Sequence, residues 1–245
     1  MILKVLGCDG AYPQANGACS GYLLEQGEQR VILDCGTGVL ERLLRATPPQ
    51  RWGALVLSHL HGDHMSDALV LRHVLQAQKA QGLLPAAHKM DLYLPASPAR
   101  EHALLADEDY FNVHVITDGM QAQIGCMRFT FLRMNHPLEA YGMRIQCEDR
   151  ILAYTGDTNV CDNLLPLARG AHLLVADSGV LHKNWSAAAP HLSPQKCGEL
   201  ARDEGVGQLL LTHGGPGCNP QARLQEAQAI FPCTAVAEAG MALQV

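Results

Sequence analysis

The sequence has no long apolar run and no excess of basic residues. No window approaches the roughly 20 apolar residues that cross a bilayer, and the apolar part of the opening MILKVLGCDG is too short for the hydrophobic region of a signal peptide. Acidic residues outnumber basic ones, 24 to 18, and the formal net charge is −6. Proteins that hold nucleic acid through its phosphates usually carry a basic face. The composition therefore argues against a membrane protein and against nucleic acid as the main partner.

Cysteine motifs are also missing. The number of cysteines is odd, and no two of them form a C-x-x-C pair. Disulfide frameworks and cysteine-based metal sites both depend on such regular spacing. We therefore expect reduced thiols in a cytoplasmic protein, with no role as metal ligands. The cysteines are Cys8, Cys19, Cys35, Cys126, Cys147, Cys161, Cys197, Cys218 and Cys233.

What the sequence does contain is enough apolar material for a core. Of its 245 residues, 48% are hydrophobic and 17% are charged, which is a globular balance. Short apolar runs such as ILKVL, RVILD and LLLTH predict strands, and DALVLRHVLQAQKAQ and SPQKCGELARDEG predict helices. Strands and helices alternate at both ends of the chain, with consecutive strands between them. This order predicts an α/β fold with helices on the outer faces of its sheets, in a single domain covering residues 1–245.

The stretch SHLHGDHMSD, Ser58–Asp67, holds three histidines and two aspartates. It follows the apolar strand ALVLS, so a tight loop can turn His59, His61, Asp63 and His64 towards one point. Imidazoles and a carboxylate suit Zn²⁺ or a similar divalent ion. A solvated polar loop is the other interpretation, but the H-x-H-x-D-H spacing favours a metal.

Further ligands are expected at the ends of other strands, because one loop cannot place all its donors on a single ion. Three polar residues follow apolar strands: His136 after FTFLRM, Asp157 in AYTGD, and His213 after LLLT. Strand ends are where α/β folds place their chemistry. We therefore expect these three side chains to join the cluster.

In this order, H-x-H-x-D-H followed by His, Asp and His resembles the metallo-β-lactamase fold superfamily over the whole chain. The resemblance implies a four-layer αββα sandwich with two divalent metal ions, Zn²⁺ or Mn²⁺, along one edge. The first metal would be held by His59, His61 and His136. The second would be held by Asp63, His64 and His213, with Asp157 bridging the two. Two such ions lower the pKa of bound water towards about 7, which gives a nucleophile at neutral pH.

Several features resemble the ribonuclease Z and phosphodiesterase branch of this superfamily. The Gly-rich segment LGCDGAYPQANGACSGYLLE is similar to the start of that branch. Asp177 after AHLLVA and His191 before a helix-capping serine occupy positions that, in that branch, carry catalytic residues. The resemblance implies that His191 protonates the leaving group or contacts a phosphoryl oxygen and that Asp177 orients it. We also count Asp63 as catalytic.

Other branches fit the sequence less well. The di-iron electron-transfer members carry Glu where this chain has His61, which argues against a redox role. The tRNA 3′-processing enzymes usually carry a long arm between their third ligand histidine and the bridging aspartate, and only residues 137–156 lie in that interval here. The chain looks more like the small YhfI-like metallo-hydrolases of bacteria.

The sequence therefore predicts a dinuclear hydrolase acting on a small or cyclic phosphodiester. Hydrolysis of an ester, thioester or lactone, tRNA 3′-processing, and a catalytically idle metal-bound scaffold remain the alternatives. A homodimer is an expectation from the resemblance alone. Residues 65–110 should form part of the active-site wall, and Trp185 is a candidate for lining the pocket. The remaining histidines are expected to be structural or on the surface: His73, His88, His102, His114, His172 and His182.

Overall fold

The structure, a computed structural model, describes residues 1–215 and 217–245, which form two seven-stranded sheets with helices around them. The strands in chain order are β1 (Ile2–Gly7), β2 (Gly21–Gln26), β3 (Gln29–Cys35), β4 (Ala54–Val56), β5 (Met90–Leu94), β6 (Phe111–Val115), β7 (Gln121–Ile124), β8 (Met127–Arg133), β9 (Tyr141–Cys147), β10 (Arg150–Tyr154), β11 (Leu173–Asp177), β12 (Gln208–Thr212), β13 (Thr234–Val236) and β14 (Ala242–Gln244). The α-helices are α1 (Val39–Ala46), α2 (Gly62–Met65), α3 (Ala68–Ala80), α4 (Ala99–Leu105), α5 (Leu164–Ala168), α6 (Pro194–Asp203) and α7 (Pro220–Gln228).

Each sheet is antiparallel in one half and parallel in the other. The first has the order β14-β1-β2-β3-β4-β5-β6 and becomes parallel from β3 onwards. The second has the order β13-β12-β11-β10-β9-β8-β7 and is parallel from β10 to β13. Because β8 and β10 are both antiparallel to β9, the two run in the same direction. The C-terminal ends of β8, β10, β11 and β12 therefore share one edge of the sheet, the place where α/β proteins bind ligands.

The buried apolar residues form three clusters, which fill the three spaces between four layers. One lies between the sheets and includes Leu33 and Val175; another, with Ile32, packs the first sheet on α1 and α3; the third, with Leu174, packs the second sheet on α5, α6 and α7. Neighbouring residues such as Ile32 and Leu33 belong to different clusters because side chains alternate across a strand. The expected four-layer αββα sandwich is confirmed.

Some elements differ from the sequence-based expectation. Strand β7, with the sequence QAQI, was not predicted, because it lies at a sheet edge and only Ile124 is buried. The segment SHLHGDHMSD is not wholly a loop, since Gly62–Met65 form one helical turn. None of the described helices has the length and apolarity needed to cross a membrane. All nine cysteines are free thiols.

Candidate metal centre

Three histidines that follow β4 and β8 form what we call the histidine group, His59, His61 and His136. Nε2 of His59 lies 3.0 Å from Nδ1 of His61, and Nε2 of His136 lies 3.1 Å from that same atom. The carbonyl of Pro190 accepts a hydrogen bond from His136 Nδ1 at 3.1 Å, which leaves Nε2 with its lone pair. Burial lowers the pKa of all three imidazoles, and that of His59 lies well below its usual value. Neutral imidazole is the form that binds a metal.

Four buried side chains form a second set, the mixed group of Asp63, His64, Asp157 and His213. His213 Nε2 lies 3.1 Å from Asp63 Oδ2 and 3.2 Å from Asp157 Oδ2. The other oxygen of Asp157 lies 3.2 Å from His64 Nε2. Asp157 also reaches the histidine group, since its Oδ2 is 3.8 Å from His59 Nε2. The two groups are therefore joined through one carboxylate.

The mixed group fits a divalent cation. Among the described residues His64 Nε2 is buried and makes no well-aligned hydrogen bond, although Asp157 lies 3.2 Å away, and this is costly unless another group satisfies it. Burial opposes a charge on His64, yet the nearby carboxylates of Asp157 and Asp34 raise its pKa well above the usual value. The site therefore stabilises positive charge at this point. Imidazole and carboxylate donors are those that Zn²⁺ and similar ions accept.

Asp34, which sequence reasoning missed, orients part of this centre. It is fully buried, and its carboxylate accepts hydrogen bonds from Ser58 N at 2.7 Å, Ser58 Oγ at 2.8 Å, His64 Nδ1 at 2.8 Å and the Tyr154 hydroxyl at 2.6 Å. A carboxylate on the far nitrogen of a metal-binding histidine fixes the ring and its tautomer. The signal was present, because Asp34 follows the apolar run RVIL just as Asp157 follows ILAY.

Asp177 and His191 are brought together beside the mixed group. Asp177 Oδ2 accepts a hydrogen bond from His191 Nδ1 at 2.9 Å, and backbone N–H groups of Thr158 and Gly179 donate to the same carboxylate at 3.0 and 2.9 Å. The His191 ring stacks on His213, with 4.7 Å between ring centroids. Burial disfavours the imidazolium, but the Asp177 carboxylate more than offsets this and raises the pKa of His191 to about 9.

The segment that carries His191, residues 178–192, is held by Asn159. The Asn159 side-chain amide donates to the carbonyls of Ser186 and Ala189 at 3.0 and 2.6 Å, and its oxygen accepts from Trp185 Nε1 at 3.1 Å. Trp185, the candidate for lining the pocket, is not among the residues that line the cavity, and its indole N–H is bound to Asn159 instead.

A cavity of about 520 Å³ opens onto both groups. Residues 65–110 contribute only Ser66 to its lining, because α3 packs against the first sheet through Leu71 and Leu75. The expectation that residues 65–110 form part of the active-site wall is therefore wrong apart from Ser66, and other segments line the cavity. The described lining contains no lysine or arginine: Ala11, Tyr12, Pro13, Thr37, His61, Gly62, Asp63, Ser66, His136, Pro137, Asp157, Pro190, His191 and His213.

The N-terminal loop, residues 8–19, closes one side of the centre. Its Gly10 packs on the His213 ring so closely that an added Cβ would lie 2.1 Å from Nε2. The Gly10 N–H donates to the carbonyl of Gly214 at 3.3 Å. Glycine is therefore required here by close approach, which gives the Gly-rich sequence a structural role. Within the described chain, the six histidines expected to be structural lie outside the donor groups.

Comparison with known proteins agrees with this geometry. Residues 29–214 match the family model described as beta-lactamase superfamily domain. The chain is 30% identical over 213 residues to the probable metallo-hydrolase YhfI of Bacillus subtilis, an alignment that covers 87% of this chain and 86% of the relative. The crystal structure of that metallo-β-lactamase fold protein superposes with a TM-score of 0.94 at 28% identity, covering 99% of this chain and 98% of the other.

More distant similarities extend over the whole chain. A ribonuclease Z of Methanothermobacter thermautotrophicus is 24% identical over 303 aligned positions, covering 100% of this chain and 97% of the relative. A diphosphatase of the PhnP family shares the fold, with a TM-score of 0.74 at 19% identity and coverage of 100% and 97%. By its family model and its relatives, this chain belongs to the beta-lactamase superfamily.

Proposed function

We propose that this protein is a two-metal hydrolase that cleaves small phosphodiesters. The observation that carries the proposal is the pair of donor groups joined through Asp157, with His191 beside them on the same cavity. The histidine group would hold one ion, and Asp63, His64 and His213 of the mixed group would hold the second. Asp157 would be shared by the two. Zn²⁺ suits these donors, and Mn²⁺ is the other candidate. When bound, two such ions supply a nucleophilic water at neutral pH and polarise the phosphoryl group.

We assign to His191 the transfer of a proton to the departing alcohol. Its Nδ1 is occupied by Asp177, so Nε2 is the nitrogen available to a substrate. The ring is held between Asp177 and His213, yet the side chain keeps 20% of its exposure, so a bound group can reach it. Asp177 positions the ring, and its own two backbone hydrogen bonds keep the carboxylate in place. A positioned acid of this kind contributes about 10²- to 10⁴-fold to a rate.

The charge of the cavity favours a substrate with a single phosphodiester group. Its described lining has no lysine or arginine to hold further phosphates. Nucleic-acid binding depends on several such cationic contacts. The interval 137–156, where tRNA-processing members carry an arm, is occupied by β9, β10 and their connections. Both features support a small substrate over folded RNA.

The names of two similar proteins, a ribonuclease Z and a diphosphatase, support chemistry at phosphorus. Hydrolysis of an ester, thioester or lactone would use the same ions but has no evident need for His191. The role of this histidine therefore separates the two functions.

The test compares wild type and His191→Ala, loaded with Zn²⁺ or Mn²⁺, on phenyl and p-nitrophenyl phosphodiesters and on p-nitrophenyl acetate. We expect His191→Ala to lose about 10²- to 10⁴-fold on the phenyl diester and less on the p-nitrophenyl diester, because p-nitrophenolate leaves without help from an acid. Elemental analysis should show unchanged metal content. His114→Ala, which removes a part-exposed histidine paired with Asp91, is the matched control and should retain full activity.

Two results would contradict the proposal. One is undiminished phosphodiester hydrolysis by His191→Ala with its metal intact. The other is a wild type that cleaves the acetate but neither diester, which would favour the carboxylic-ester alternative.

A further inference from the structure

Tyr12 departs from the pattern of the other aromatic residues. The chain has only four Phe, two Trp and six Tyr. Within the described residues Tyr12 is the exposed one, with 56% of its surface accessible, and the others are buried or partly buried. An aromatic ring normally contributes to stability by being buried. Tyr12 therefore does not contribute to the core, although the chain has few aromatic residues, and its location becomes informative.

That place is the mouth of the metal-centre cavity. Tyr12 lines the same cavity as His61, Asp63, His136 and His191. Its ring is thus carried at the entrance to the candidate reaction site and not on an unrelated surface.

The backbone fixes the position of Tyr12 while its ring stays accessible. On one side, the Gly10 N–H donates to Gly214. On the other side, the Gln14 N–H donates to Asp9 Oδ2 at 2.9 Å, and the Gly17 N–H donates to the Gln14 carbonyl at 2.8 Å. The loop is therefore ordered by bonds that do not involve the tyrosine ring. The loop backbone therefore needs little further ordering when a ligand covers the ring.

Most of the rim is apolar as well, although the lining also includes the exposed Thr37. Pro13, Pro137 and Pro190 line the cavity with Tyr12, and the charged and imidazole groups lie at its floor. A substrate whose phosphate sits on the floor would place one ester substituent against this rim. The rim offers a flat ring and three prolines, and no described cation, to that substituent.

We infer that Tyr12 is a stacking platform for a planar aromatic substituent of the substrate, such as a nucleobase, and that it determines specificity for phosphodiesters that carry one. The inference rests on the proposed function. Stacking of a base on an aromatic side chain tolerates different bases, because every base has a π-face. The platform therefore selects aromatic over aliphatic esters without selecting one base.

The experiment uses two diesters with the same leaving group: thymidine 5′-(p-nitrophenyl) phosphate and methyl p-nitrophenyl phosphate. The metal-loaded wild type should prefer the thymidine ester in kcat/KM. Tyr12→Ala should reduce that preference about 10-fold or more through KM, because it removes the stacking of the base, and its effect on the methyl ester should be much smaller. Tyr12→Phe should keep the preference. Leu83→Ala, which truncates a side chain that is 54% exposed and lies outside the cavity lining, is the control.

A binding measurement separates failure of this inference from failure of the proposed function. Calorimetric titration of the metal-loaded protein with thymidine 5′-monophosphate and with methyl phosphate should show tighter binding of the nucleotide in wild type and Tyr12→Phe, and not in Tyr12→Ala. If the wild type hydrolyses neither diester, the proposed function fails, and the titration still decides the role of Tyr12. Equal effects of Tyr12→Ala on both ligands, no effect on either, or loss of the preference in Tyr12→Phe would overturn the stacking role.

Discussion

At the scale of single residues, the buried carboxylate of Asp34 connects the polypeptide to the candidate metal centre. It accepts hydrogen bonds from Ser58, His64 and Tyr154, and Tyr154 comes from the opposite sheet. In Asp34→Asn the amide replaces one acceptor oxygen by a donor, so one of these bonds is lost. We expect metal affinity to fall about 10- to 100-fold and the free energy of unfolding to fall by about 1–3 kcal/mol.

The measurements for Asp34→Asn are metal content after dialysis against a graded chelator and urea unfolding followed by circular dichroism. Asp91→Asn is the matched control, because Asp91 pairs with His114 at a half-exposed site where an ion pair contributes little. Equal metal retention by the two variants would show that Asp34 does not orient His64.

The residues of the candidate site differ in how far the sequence could predict them. The local spacing H-x-H-x-D-H marked four polar side chains at once, and the structure places all of them in the two donor groups. Asp34 follows an apolar run, but neither it nor Asn159 belongs to a spacing motif of this kind, and the partners of both are distant in sequence. His64 is 30 positions from Asp34, and Ala189 is 30 positions from Asn159. Contacts of that kind are set by the tertiary fold and not by local pattern.

At the scale of elements, the segment 178–192 joins the candidate acid to the histidine group. It carries His191, and its Pro190 carbonyl holds the ring of His136. Asn159 holds the segment through Ser186 and Ala189. In Asn159→Ala these bonds are lost, so we expect the segment to loosen and phosphodiester turnover to fall by up to about 100-fold, as misplacement of a catalytic group does.

Limited proteolysis with mass spectrometry is the readout for Asn159→Ala, together with kcat on the phenyl diester. New cleavage should appear within residues 178–192 while the sheets stay intact. Asn112→Ala serves as control, because Asn112 is exposed on β6 and donates only to Asp91. An unchanged cleavage pattern together with full turnover would mean that Asn159 does not hold the segment.

Among the elements, apolar runs identified the buried strands well, because a strand between two layers is apolar on both faces. Polar edge strands lack that signal, and β7 was missed for this reason. The orientation of the Trp185 indole could not be predicted from the sequence either, since its hydrogen-bond partner Asn159 is 26 positions away.

At the scale of the whole molecule, the candidate metal centre lies at one edge of the sandwich and takes its donors from both sheets. His59, His61 and His64 follow β4 in the first sheet, whereas His136, Asp157 and His213 follow strands of the second. A cation bound only by the folded state stabilises it by about 2.7 kcal/mol when the free ion is at 100 times its Kd. For a chain of this size we therefore expect Zn²⁺ to raise the Tm of chelator-treated protein by about 5–10 °C.

Differential scanning fluorimetry after chelation, with added Zn²⁺, Mn²⁺ or K⁺, measures this linkage. The divalent ions should raise the Tm, and K⁺ should not. His64→Ala should respond less than wild type, because it lacks a donor of the mixed group. A Tm that is independent of Zn²⁺ in wild type would argue against any resident divalent ion.

The fold as a whole followed from its resemblance to a known superfamily more than from first principles. The alternation of strands and helices predicted layered sheets, and the structure confirms them. The donor-bearing edges of the two sheets lie side by side. The alternation of strands and helices could not predict this, because it depends on how the sheets pack. The pairing of the last strand, β14, with β1 at the start of the chain is a further long-range contact that the local pattern does not indicate.

Because the donors come from both sheets, ion occupancy reports on the alignment of the two halves of the sandwich. A small sliding of one half against the other would separate Asp157 from His59 and His64 long before either sheet loses its ladder of hydrogen bonds. Ion release should therefore be an early step of unfolding. A molecule whose two sheets have shifted but remain folded would first lose its bound ions.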